Sequence, residues 1–208
     1  AAHQQPAAWR RVQRHKAWFH SSEGDYAASL DVLQTLIADT AVSGIDRLQV
    51  LYQAGVNQAT LGDFAAAERS LNDAVALAKA ADDAARGAAL GEKLALSVYI
   101  PRGQFARAAA AMAAVVPFYA DRPSYRIQYL LIVADLYSVQ GNWAKLADTV
   151  AELHERLAAL EQSESHQRYW TAFSTAWLAA AEGRWDAYET ACSQAAAIPE
   201  SDPVARLS

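Results

Sequence analysis

Cysteine is almost missing from this chain. A single residue, Cys192, precludes an internal disulfide and leaves the redox compartment unreadable. Methionine also occurs once, at Met112, and the chain opens on Ala1-Ala2-His3. An excised part of a larger protein, or a processed mature chain, is therefore expected. No apolar run approaches the roughly 18 residues that a membrane-spanning helix needs, so no membrane insertion is expected. Residues 199–208 read as a linker, on the strength of Pro199-Glu200-Ser201-Asp202-Pro203. A cytoplasmic location is expected, with a periplasmic one after signal cleavage as the alternative.

Chemistry-bearing clusters are missing too. Histidines 3, 15, 20, 154 and 166 are scattered, and His154-Glu155 opens like a zincin helix, but Ala158 stands where the second histidine belongs. Zinc needs three or four converging ligands. No glycine-rich loop follows a strand, so no phosphate cradle is expected. We expect no catalytic residues, no metal site and no cofactor. A net charge of −5 argues against a broad phosphate-tracking surface, so no nucleic-acid partner is expected. The short run Arg10, Arg11, Arg14, His15 and Lys16 reads as one basic helix face.

Alanine is abundant, β-branched residues never cluster, and the few glycines and prolines stand between periodic segments. Helix is favoured throughout. One pattern recurs five times: Gly24-Asp25-Tyr26, Gly62-Asp63-Phe64, Gly103-Gln104-Phe105, Gly141-Asn142-Trp143 and Gly183-Arg184-Trp185. The glycines are 38, 41, 38 and 42 residues apart. A glycine closes a helix in the left-handed conformation, the polar residue suits the next helix's first N–H groups, and the aromatic packs into the angle between the helices. Seven residues before the glycine stands a small residue, Ala17, Gly55, Ala134 or Ala176, with Leu96 the exception. Nine residues after it stands an apolar one: Leu33, Leu71, Met112, Val150 or Cys192. Cys192 is thus expected as a buried small hydrophobe.

The spacing predicts ten helices in five antiparallel pairs, over 7–22 and 25–39, 44–61 and 64–81, 83–100 and 104–119, 124–140 and 143–162, 164–182 and 185–198. Ser43 and Ser124 are expected N-caps. The repeats are 7–40, 44–82, 83–120, 124–162 and 164–198, one array over residues 1–198.

This organisation resembles the tetratricopeptide repeat (TPR) family, whose helix–turn–helix unit carries the same small residue, glycine, polar residue and aromatic. The family's alanine five residues after the glycine is matched by Ala67 and Ala108, but replaced by Ser29, Leu146 and Tyr188. The spacing also exceeds the family's 34 residues, so these are divergent, long-helix repeats. A narrower likeness is to the sensor arrays of large bacterial ATP-dependent transcription activators. The resemblance implies an all-α, right-handed α-α superhelix (solenoid) with a concave groove. The family's inward positions fall on Arg11, Arg14 and Trp18; Gln49, Tyr52 and Val56; Leu90, Lys93 and Ser97; Gln128, Leu131 and Asp135; Trp170, Phe173 and Trp177.

The arginines and Lys93 could hold carboxylates, and the three late aromatics an apolar side chain. Alternatively those aromatics pack against a following repeat or domain, and Arg11 and Arg14 are a solvated face. The family's paired asparagines for two-carboxylate tails have no counterpart. The segment from Tyr119 to Arg126 is a further candidate binding edge. The expected role is a protein-interaction module, binding a peptide or partner domain as a regulatory part of a larger bacterial protein. A small-molecule effector sensor is the alternative.

Overall fold

The computed structural model describes residues 7–119, 122–160 and 165–198, the first two of the last stretch by backbone alone. The expected linker at 199–208 lies outside the described residues, as do Ala120 and Asp121. The helices are α1 (Ala7–Ser22), α2 (Tyr26–Ala38), α3 (Gly44–Thr60), α4 (Phe64–Ala80), α5 (Ala84–Leu94, prolonged by a π-helical turn, Ala95–Tyr99), α6 (Phe105–Ala113), α7 (Val116–Tyr119), α8 (Pro123–Val139), α9 (Trp143–Ala158), α10 (Ser165–Ala181) and α11 (Trp185–Ala196). No strand occurs among the described residues.

Each turn glycine has a positive φ, and Gly62 shows why. At φ +83° a side chain would be strained although the space around it is open. Its N–H donates to the Ala59 carbonyl at 3.0 Å, and the Asp63 N–H to the Gln58 carbonyl at 2.9 Å. This pair of bonds closes the helix in a Schellman motif. The Asp63 carboxylate then accepts from the Ala66 N–H at 3.0 Å, capping α4. Asp25 and Asn142 cap α2 and α9 in the same way, whereas Gln104 and Arg184 make no side-chain cap bond.

A sixth turn of this kind carries no glycine. Asp82 takes φ +54°, its N–H donates to Lys79 and that of Asp83 to Ala78, and Asp83 caps α5. Aspartate tolerates the left-handed region better than most residues.

Three expectations need correction. The helix expected over 104–119 breaks after Ala113, because Pro117 has no N–H for the Ala113 carbonyl and its ring would strike it. Ser124 is not a cap: Pro123 takes the first helical position, which suits its fixed φ, and Arg122 precedes it without a side-chain bond. Ser43 does hold the cap position of α3, but its hydroxyl makes no cap bond.

The chain divides into two compact units, 1–115 and 116–208, and the boundary falls inside the repeat expected over 83–120. In the first unit, Ala17, Leu33, Leu36, Val42, Val50 and Ala54 form one buried cluster. Leu48, Leu51, Ala74, Ala78 and Leu90 form the next. In the second unit α8 packs on α9, and α10 on both, around Leu136, Leu146, Leu153 and Leu178.

The π-helical turn accounts for Leu96. Ile100 donates to Ala95, five residues back, at 2.9 Å, so this turn holds one residue more than an α-helical one. Ala95, one residue upstream of Leu96, is fully buried and supplies the small residue expected seven positions before Gly103.

Candidate functional site

In the first unit, α1 and α3 hold a cleft of about 620 Å³ between them. Arg14, His15, Trp18 and Ser21 come from α1, and Gln49, Tyr52, Gln53, Val56 and Asn57 from α3, with Tyr26 at the end of α2. Residues three, four and seven apart share a helix face, which is why Arg14 and Trp18 meet Gln49 and Tyr52 here. The Trp18 and Tyr52 rings are exposed, so the walls are apolar and open to solvent. The floor is polar and satisfied. Buried Asn57 donates to Ser29 Oγ at 2.8 Å and accepts from Ser21 Oγ at 3.0 Å, Ser29 donates to the Ala17 carbonyl at 2.7 Å, and Gln53 reaches Ser21 at 3.3 Å.

Arg14 is already engaged. Its guanidinium pairs with Asp46 and donates to Gln49 Oε1 at 2.9 Å. A partner carboxylate there would displace Asp46. Arg11 lines a neighbouring hollow of about 160 Å³ with Arg10, Arg14 and Asp46.

Leu90 and Leu131, expected on the groove wall, are core residues. For Leu90 the cause is the π turn, whose extra residue rotates the upstream part of α5 by about 100°. Lys93, like Glu92 beside it, is half-buried. Gln128 is exposed on α8.

In the second unit, Trp170, Phe173 and Trp177 form an edge-to-face ladder along α10. Their ring centroids lie 5.3 and 6.1 Å apart, and Tyr169 joins at 5.5 Å from Trp170. Asp135 and Ser138 of α8 face this ladder across a hollow of only about 20 Å³, room for one water. Desolvation beside this wall pushes the carboxyl of Asp135, itself an exposed residue, above its ordinary value. Cys192, expected to be buried, is half-buried, and Tyr188 beside it is exposed; hydrogen bonding to Cys192 raises the Tyr188 hydroxyl.

Ion pairs hold the remaining candidates. Arg126 grips Glu152 through Nε at 3.1 Å and Nη2 at 3.0 and 3.2 Å, and its guanidinium lies 5.1 Å from the Tyr129 ring. Arg156 reaches the same carboxylate at 2.6 Å. At the candidate edge, the Tyr119 and Tyr125 rings pack at 5.4 Å, with Arg122 5.6 Å from Tyr125. Glu68 ties α4 to the next turn by accepting from Arg102 at 3.0 Å and Arg107 at 2.5 Å. His154 shares a hydrogen bond with Thr175 at 3.0 Å. Among the described residues, no three His, Cys, Asp or Glu side chains converge.

Burial pushes the Glu152 carboxyl up, but hydrogen bonds from Arg156 and Arg126 and their charges outweigh it and hold its pKa below the ordinary value. A depressed folded pKa stabilises above the unfolded value and loses that contribution as pH falls through the folded one. Glu152→Gln is therefore expected to unfold earlier than wild type in urea at pH 7, with the gap closing as pH falls from about 4.5. A gap constant down to pH 2 would rule out this linkage.

No protein-family model and no curated protein sequence matches the chain. The solved structures it is similar to define its class: an all-α helical-repeat superhelix of the TPR-like kind. One is the set of nearly identical TPR-like repeats of a putative kinesin light chain from Podosopora anserina, at 20% identity and a TM-score of 0.73, over 90% of this chain and 93% of that one. A tetratricopeptide repeat protein from Parabacteroides merdae superimposes at 0.67 and 15% identity, over 92% of this chain and 68% of that one. MamA of MSR-1 does so at 0.59 and 15%, over 89% and 95%. Among the described residues no helix is long and apolar enough to cross a membrane.

Proposed function

We propose that the chain is a non-catalytic protein-interaction module that takes an extended peptide, or a loop of a partner domain, in the cleft between α1 and α3. The observation that carries this reading is the contrast between the two candidate sites. The α1/α3 cleft offers about 620 Å³ with exposed rings above a satisfied polar floor, while the ladder on α10 encloses about 20 Å³. A small-molecule effector needs about 300–1,000 Å³ of largely enclosed space, so the aromatic end is a poor seat for one. Trp18 and Tyr52 are the anchors, with Gln49 and Arg14 at the rim and Arg11 beyond it. Gln128, Asp135, Trp170, Phe173 and Trp177 belong to the proposal as a separate contact face. We also propose that the module serves a regulatory or scaffolding part of a larger bacterial protein in the cytoplasm. TPR-like neighbours support a protein partner in general.

Peptides selected from a displayed random library on the wild-type chain provide the test. Trp18→Ala/Tyr52→Ala is expected to weaken the selected peptides at least thirtyfold, about 2 kcal/mol. The melting temperature should stay within about 2 °C, since both rings are exposed. Peptides that hold the double variant as tightly as wild type would place recognition elsewhere, with Trp177→Ala the next variant to try.

A further inference from the structure

Helical spacing sets Asp135 and Ser138 on one face of α8, and Trp170, Ser174 and Trp177 on one face of α10. Together with Phe173 they line the hollow of about 20 Å³ between the two helices. Both walls belong to the second unit and pack on each other. The three polar side chains are left with acceptors alone. The Ser138 hydroxyl donates to the Asp135 carbonyl at 2.7 Å, and that of Ser174 to the Trp170 carbonyl at 2.9 Å. Each serine therefore keeps only its oxygen lone pairs for a ligand. The Asp135 carboxylate has no hydrogen bond or ion pair among the described residues.

Charge points the same way. Desolvation alone pushes the Asp135 carboxyl up, and no charged side chain offsets it. Arg126 and Arg156 of the same unit are committed to Glu152, and Lys145 lies over the Tyr137 ring. An ionised carboxylate beside apolar rings is costly without a cation, and a bound cation relieves it. The rings favour a cation too, because the face of an aromatic ring attracts positive charge. Phe173 and Trp177 are 37% and 48% exposed, and Asp135 is exposed, so a ligand reaches all three from solvent. Size then selects among cations. The hollow takes one water-sized group, and a lysine ammonium is that compact, with three N–H donors for the three acceptors. A guanidinium is a broad plane with five donors. A trimethylated ammonium has no N–H at all, and an anion would meet only acceptors.

We propose that the seam between α8 and α10 binds a lysine side chain of the partner, its ammonium seated against Asp135, Ser138 and Ser174 and its stem along Phe173 and Trp177. A lysine stem covers apolar ring surface while its head keeps its charge. This seat rests on the reading of the chain as an interaction module, and gives its second contact face a ligand. A single lysine in a partly open seat binds weakly, with a dissociation constant on the order of 1–10 mM. Within a longer partner segment it supplies register and selectivity more than affinity.

Titration of the full chain with the peptide acetyl-Ala-Lys-Ala-amide, followed through the tryptophan indole N–H signals by NMR, tests this. The Trp170 and Trp177 signals, assigned with Trp170→Phe and Trp177→Phe, should shift and saturate, while those of Trp9 and Trp18 stay. The same peptide carrying Nε-acetyllysine lacks the charge and should give no saturable shift. Arginine or trimethyllysine in its place should bind more weakly by roughly threefold or more. Asp135→Asn should weaken the lysine peptide by about fivefold or more, with an unchanged melting temperature because the position is exposed. Unmoved Trp170 and Trp177 signals, acetyllysine binding as well as lysine, or an indifferent Asp135→Asn would each overturn the proposal. So would an arginine or trimethyllysine peptide that binds as tightly as the lysine one. Trp18→Ala/Tyr52→Ala should leave this titration unchanged, so failure of the α1/α3 cleft as a peptide site and failure of this seat are read separately.

Discussion

Gly55→Val is expected to destabilise the first unit by about 3 kcal/mol or more, lowering its melting midpoint by roughly 6–12 °C. A Cβ at position 55 would fall 2.6 Å from Leu71 Cγ, 3.0 Å from its Cδ2 and 3.3 Å from the Ala67 carbonyl oxygen. Leu71 and Ala67 are both fully buried, so neither can give way cheaply. Valine adds two methyl groups to a contact that already excludes one. Gly55→Ala is the milder case, since the helix-propensity gain of about 1 kcal/mol offsets part of the overlap. Gly91→Ala in α5 serves as the contrast. Its Cβ meets nothing within 4 Å, and it should raise stability by up to about 1 kcal/mol. If thermal unfolding followed by circular dichroism shows Gly55→Val melting with wild type, the close approach of α3 and α4 is wrong.

The second large effect concerns the polar floor of the cleft. Asn57→Leu is expected to cost about 2–3 kcal/mol, because it strips Ser29 and Ser21 of a partner in a buried place where water does not compensate. Replacing the whole set, Ser21→Ala/Ser29→Ala/Asn57→Leu, should recover most of that loss, since apolar groups then face apolar groups. Urea denaturation of the three single variants and the triple one decides the matter. Losses that simply add would mean the three side chains are not one network. Because the network joins α1, α2 and α3, the single Asn57→Leu should also loosen the cleft above it, and with it the peptide affinity.

The helix pairs were legible because each turn states its chemistry locally. A residue that must adopt positive φ, followed by a polar cap and an aromatic, says where a helix stops and the next begins. Asp82 shows the limit of that signal, since the same turn was built without glycine and only its bonds to Lys79 and Ala78 reveal it. Pro117 was readable from its missing N–H but lay inside an apolar stretch that reads as helix. The π turn was visible only as an anomaly, the leucine at 96 where a small residue belongs. The candidate site was partly legible. Arg14, Trp18, Gln49 and Tyr52 do line one cleft, and they stand at the inward positions that the family resemblance implies. What covers a side chain from another helix has no such spacing rule. The capture of Arg14 by Asp46 depends on that, as does the shallowness of the hollow beside the ladder on α10. His15, Tyr26 and Gln53 were missed for the same reason.

The bulge at Ala95–Tyr99 also bears on how such chains change length. An added amino acid is commonly accommodated where loops bear it, yet here the surplus is absorbed within α5 while both flanking bends keep their geometry. Everything upstream is rotated by a quarter turn or so, which swaps the residues shown to solvent for those turned inward. A single insertion inside a first helix can therefore recast the surface offered to a partner without disturbing the hinge that follows it.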